Sequence, residues 1–111
     1  MNGGKQEMTD ATENALIERR ANHFRRSIYA DGGKIALYES EISFTPHKFN
    51  LSGGELTIPI DEIEDIEIVD MGGFSPQLIF ELKDGRKDRF VMWDRIDFKR
   101  KVEELMERST E

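Results

Sequence analysis

Five cations, Arg19, Arg20, Arg25, Arg26 and Lys34, fall between positions 19 and 34 against a single acid, Asp31. Arginine presents a planar fork of donors suited to bidentate contact with phosphate, and cations packed together can hold an anion through charge-assisted hydrogen bonds. Arg25 and Arg26 are adjacent, so on a regular strand they point to opposite faces. His47 and Lys48, just after Pro46, sit where a loop can extend the same patch. Arg25, Arg26, Lys34, His47 and Lys48 are the candidates for ligand binding. A second charged stretch has the opposite sign: Asp61, Glu62, Glu64, Asp65, Glu67 and Asp70 occur within ten residues that contain no base.

Other chemistries find no support. His23 and His47 are far apart and there is no cysteine, so no zinc framework exists and no disulfide can form. The acidic run lacks the ligand spacing and glycine of a calcium loop, and its isoleucines read as a strand with a solvated face. No glycine fingerprint for phosphate, no local Ser-His-Asp motif and no metal framework is present, so the expectation is no catalysis and no cofactor. The net charge of -7 opposes general nucleic-acid binding, which depends on neutralising phosphates. The Arg86-Lys87-Asp88-Arg89-Phe90 run, the one place where bases and an aromatic interleave as a single-strand binder would need, does not outweigh it. His23 reads as a strand histidine satisfied locally. Phe90 and Trp93 read as core.

The elements that carry these groups follow from apolar spacing. Ile35 and Leu37, then Ile42 and Phe44, alternate with a polar corner between them, which is the signature of two short strands. Upstream, Ile17 to Tyr29 reads as a strand, bent or bulged near Ala21-Asn22, entering a turn at Asp31-Gly32-Gly33 where glycine supplies positive φ. Pro46 ends a strand. Leu56, Ile58 and Ile60 alternate, and Pro59 places that strand at an edge or at its own end. The step of three from Ile63 to Ile66 implies one tight turn before alternation resumes through Ile68. Leu78, Phe80 and Leu82 form another strand, and Asp84-Gly85 signals a type I′ hairpin into Phe90 and Met92. The period then changes: Phe98, Val102, Leu105 and Met106 make one stripe of a helix, with Asp94 as its N-cap and Asp97 as a weaker capping partner.

At 111 residues this is one domain, 15–108, behind a flexible tail, 1–14. About seven antiparallel strands with one apolar face must bury it, and a partly open barrel capped by the C-terminal helix is the economical solution. No apolar run is long enough to span a bilayer, and the N-terminus lacks a secretory stretch, so the expected compartment is the cytoplasm, with peripheral membrane attachment at most. A monomer is the favoured state.

This order of elements resembles the GRAM domain, a member of the pleckstrin-homology-like superfold. The resemblance is carried by Ala21-Asn22-His23-Phe24, by Gly32-Gly33-Lys34-Ile35-Ala36-Leu37 leading into Ile42-Ser43-Phe44, and by Pro46-His47-Lys48-Phe49-Asn50. It continues through Ile58-Pro59-Ile60 with Ile63, and through Phe90 and Trp93, covering about Leu16 to Glu107. It implies a mainly β fold with one C-terminal helix and a non-catalytic binding module for membrane lipids or protein partners. Anionic head groups in the superfold sit near the first hairpin, which here holds Arg25, Arg26 and Lys34. Ala36, Tyr38 and Glu41 stand where an aromatic, a threonine and an arginine are expected.

Two functions compete. A basic residue near an anionic membrane contributes about 1 kcal/mol, and three give about 3 kcal/mol, weaker than millimolar binding. Charge alone does not recruit this chain to a membrane. Glu41 and the acidic total point the same way, so a protein-interaction or scaffold module ranks first and anionic-lipid head-group binding second.

Overall fold

Alternation of apolar residues decides most of the architecture. The computed structural model describes residues 15–24, 30–47, 55–70 and 76–109. Its strands are β1 (Ile17–Phe24), β2 (Ala30–Leu37), β3 (Glu41–Pro46), β4 (Leu56–Pro59), β5 (Ile63–Asp70), β6 (Pro76–Leu82) and β7 (Lys87–Val91), and helix α1 (Arg95–Ser109) follows. All seven strands form one antiparallel sheet in the order β4-β3-β2-β1-β7-β6-β5. The two ends of that order, β4 and β5, are joined in sequence by a single 3-10 turn, Ile60–Glu62, but do not pair. The barrel is therefore open.

Each strand turns its period-two apolar set inward. Ile35, Leu37, Ile42, Phe44, Ile58, Leu78, Phe80 and Phe90 are all fully buried. The helix supplies the rest of the core: Phe98, Val102 and Leu105 are buried, and Met106 packs against them half-exposed. Burial of side chains of this size stabilises by roughly 1.5–3 kcal/mol each. The helix packs on the 3-10 turn, β6 and β5, over the apolar inner face of that end of the sheet.

Ion pairs hold the start of α1 from two sides. Arg19 on β1 donates from Nε to Asp94 Oδ2 at 2.6 Å, and Arg95 donates from Nη2 to Asp70 Oδ2 on β5 at 2.7 Å. Asp94 does occupy the N-cap position, its carbonyl accepting the Phe98 N–H at 2.9 Å, but its carboxylate serves Arg19. Asp97 pairs with Arg100 one turn on and does not reciprocate as a capping partner.

Local chemistry differs from the spacing-based expectations in four places. Asp31, Gly32 and Gly33 lie within β2, not in a turn, and β1 pairs with β2 without a break from Ile17↔Leu37 to Phe24↔Ala30, so there is no bulge at Ala21-Asn22. The glycine is needed for close approach: a Cβ on Gly33 would lie 2.3 Å from the Thr45 carbonyl oxygen and 2.7 Å from the Pro46 Cα. The step of three at Ile63 to Ile66 is a bulge between Ile63 and Asp65 inside β5, immediately after the 3-10 turn. At Asp84-Gly85, Gly85 (φ 94°) donates to the Leu82 carbonyl, and Leu82 donates to the Arg86 carbonyl. That pattern is a three-residue loop with glycine at the left-handed position, and not the two-residue type I′ turn. Finally, Trp93 is 77% exposed. Inward alternation ends at Met92, so the next side chain points out, where no element covers it. The tail, 1–14, lies outside the described residues.

Two outcomes follow for stability. Val102→Asp places an uncompensated charge under the helix and should cost about 3–5 kcal/mol, read as a large drop in denaturant midpoint. Gly33→Ala must push β2 from β3 and should cost about 1–3 kcal/mol, whereas Gly85→Ala is strained only by its positive φ.

Candidate functional site

Of the expected binding set, the described residues include Lys34 and His47; Arg25, Arg26 and Lys48 lie outside them. Lys34 and His47 sit on the outer face of the sheet. Lys34 is opposite Arg20 on one side and Thr45 on the other. His47 follows β3 and donates its backbone N–H to the Gly32 carbonyl at 2.9 Å. Asn22 and His47 flank Gly32, since a Cβ there would meet Asn22 Oδ1 at 3.1 Å and His47 Cδ2 at 3.9 Å. Arg20 therefore joins Lys34 through strand register, which counting charges along the chain did not reveal. Glu18 also joins, approaching Lys34 Nζ at 3.5 Å. Both partners are well exposed, so the pair is solvent-screened and worth little, but it neutralises the one patch cation that the expected set contributes here.

The sheet edge at β5 has a different character. β5 pairs with β6 on one side and has no described strand on the other. Asp61, Glu62, Glu64, Asp65 and Glu67 are exposed, with no cation at ion-pair distance among the described residues. Asp70 is the exception, held by Arg95. On the outer face Asp65 stands opposite Glu81 of β6, which adds a third acid beside Glu67. On the inner face the same strand presents Ile66, buried, and Ile68, half-buried. The other edge is less inviting: β4 has four residues and ends in Pro59, two common ways of blunting an edge.

A buried polar contact lies inside the sheet, across the junction of β1 and β7. His23 Nε2 approaches Asp88 Oδ1 at 3.4 Å, and Arg86 Nε donates to Asp88 Oδ2 at 3.2 Å. The imidazole rests against Phe44 and Phe90, with ring centroids 5.4 and 4.8 Å away. Its Nδ1 is buried without a hydrogen-bond partner. The histidine is a strand residue as expected, but its partner is 65 positions distant and only one nitrogen is served. Asp88 is the residue that spacing alone missed: an acid at an inward position between Lys87 and Arg89, with Phe90 two residues from it, was the available signal.

No family model matches this sequence, and no curated protein does. Among solved structures, the chain is similar to the C-terminal domain of an unknown protein from Leishmania infantum, at 11% identity and a TM-score of 0.73, over 92% of this chain and 93% of that one. It is also similar to the N-terminal PH domain of Vps36, at 15% identity and a TM-score of 0.68, over 86% of this chain and 80% of that one. At such identities the likeness establishes the fold alone, a pleckstrin-homology-like one.

The buried contact gives a direct test. Asp88→Ala leaves His23 with no partner on either nitrogen and should cost about 1–3 kcal/mol. The double variant His23→Leu/Asp88→Leu removes the polar groups together and should recover most of that loss, because replacing a buried pair by packed apolar groups is often neutral. A thermodynamic cycle from urea melts measures both.

Proposed function

We propose that this domain is a non-catalytic protein-interaction module that receives a segment of its partner along the free edge of β5. The observation that carries the reading is the combination at that edge of a strand side with no described strand beside it and five exposed carboxylates, on and just before it, with no cation at ion-pair distance among the described residues. A strand added to a sheet edge takes its affinity from main-chain hydrogen bonds and its selectivity from alternate side chains. The bulge at Ile63/Asp65 confines regular pairing to the stretch from Asp65 onward. Rigid support comes from β6, paired along the strand, and from α1, tied to the end of β5 through Arg95 and Asp70.

A membrane-surface role draws on a weaker observation, the shared outer face of Arg20, Lys34 and His47. Glu18 among them and the net charge of -7 argue against adsorption to anionic lipid, and no helix among the described residues is long and apolar enough to cross a membrane.

Affinity capture from native lysate should recover a protein that is lost with Asp65→Lys/Glu67→Lys and kept with Lys34→Glu. Capture indifferent to the β5 reversal would overturn the edge reading. Co-sedimentation with phosphatidylserine vesicles at low salt should leave the chain in the supernatant. Pelleting that disappears on Arg20→Ala/Lys34→Ala would place lipid first.

A further inference from the structure

The geometry of β5 also specifies its partner, on the basis of the edge reading above: we propose that the segment received there is extended and alternates basic with apolar residues. Side chains of an added strand lie beside those of the strand it joins, face for face, and recur on each face every two residues, about 6.6 Å apart. On the outer face the neighbours would be Asp65 and Glu67, with Glu81 one strand further in. Three carboxylates with no counter-cation at ion-pair distance among the described residues favour a Lys or Arg at the two outward positions beside Asp65 and Glu67, since opposite charges on neighbouring strands stabilise and like charges destabilise. On the inner face the neighbours are Ile66 and Ile68. The one acid on that face, Asp70, is already held by Arg95, so no anion is left there for a cation and an apolar side chain fits.

The same charges exclude the simplest competitor. Two copies of this chain meeting antiparallel through β5 would set Asp65 and Glu67 against each other's counterparts, and that repulsion bars self-pairing while leaving the edge open to a cationic strand. The acids thus select by sign, and the two faces of the strand select by order.

The test uses the full chain, isotope-labelled for amide shift mapping, and four synthetic peptides of about six residues, whose reach matches the regular part of β5. One alternates Lys and Val, one holds the same residues in two blocks, one alternates Glu and Val, and one alternates Thr and Val. The alternating Lys-Val peptide should shift amides from Asp65 to Val69 and bind about tenfold tighter than the others, an effect of about 1.4 kcal/mol. Its affinity should fall several-fold as salt rises past the physiological range, where screening shortens to below about 8 Å. In Asp65→Lys/Glu67→Lys the preference should pass to the Glu-Val peptide. Equal binding of the block peptide would overturn the alternation. Equal binding of the Thr-Val peptide with shifts on β5 would overturn the cationic partner but leave the docking edge standing. Absence of β5 shifts with every peptide would overturn both, and a concentration-dependent dimer broken by the β5 reversal would overturn the exclusion of self-pairing.

Discussion

The sheet depends on one short seam. β4, β3, β2 and β1 form one half, β7, β6 and β5 the other, and among the described residues the ladder between them pairs Asn22, His23 and Phe24 with Val91, Phe90 and Arg89. So few paired residues supply little backbone cohesion by comparison with the long β1–β2 ladder. Side chains compensate on both faces. Inside, His23 lies against Phe90 and reaches Asp88, while Phe90 in turn meets Phe44 from one half and Phe80 from the other. Outside, the Arg89 guanidinium sits 5.9 Å from the centre of the Phe24 ring, a cation–π contact that crosses the same junction. The aromatic cluster is thus the mechanical link between halves.

The helix reinforces that link from the other end of the barrel. Its first turn is tied to β1 through Asp94 and Arg19, and to β5 through Arg95 and Asp70, so one element bridges both halves. A cation at a helix N-terminus is unfavourable toward the macrodipole, and the Asp70 carboxylate offsets it. Arg95 is mostly covered, and its Nε is buried without a partner. That arrangement holds the position of the helix on the sheet at the expense of one unsatisfied donor, and it is the reason Asp70 behaves differently from the other acids of its run.

What could be read from the chain alone follows from how far apart the determining residues lie. Period-two segments such as Ile35/Leu37, Ile42/Phe44 and Leu78/Phe80/Leu82 contain their own instruction, and so does the stripe of Phe98, Val102 and Leu105; strand number, helix and open barrel were legible. Gly33 was not, because its reason is a neighbouring strand, the Thr45 carbonyl pressing where a Cβ would stand. Nor was the His23–Asp88 contact, made between residues that no local pattern connects. Trp93 misled because a large aromatic after a strand reads as core, whereas its place one residue beyond the inward Met92 turns it to solvent. Of the basic set, Lys34 and His47 do share a face, but register brings Glu18 to the same place. The acidic run was visible as charge; that it forms the last strand of the order was not.

That placement connects the fold to its use. A seven-stranded sheet that fails to close leaves two edges, and the chain treats them differently. β4 is short and stopped by Pro59, so little backbone is offered there. β5 is twice as long, is supported by the helix at its Asp70 end, and ends its irregularity at Asp65. Leaving such an edge bare invites uncontrolled pairing, and a row of carboxylates answers that hazard by repelling any strand that is acidic, this chain's own included. Neutral positions would have offered no such discrimination against a second copy of the same strand. On the proposed reading, the charges that oppose self-pairing are the same ones that make a basic strand the best-matched guest, and a single set of charges accounts for both.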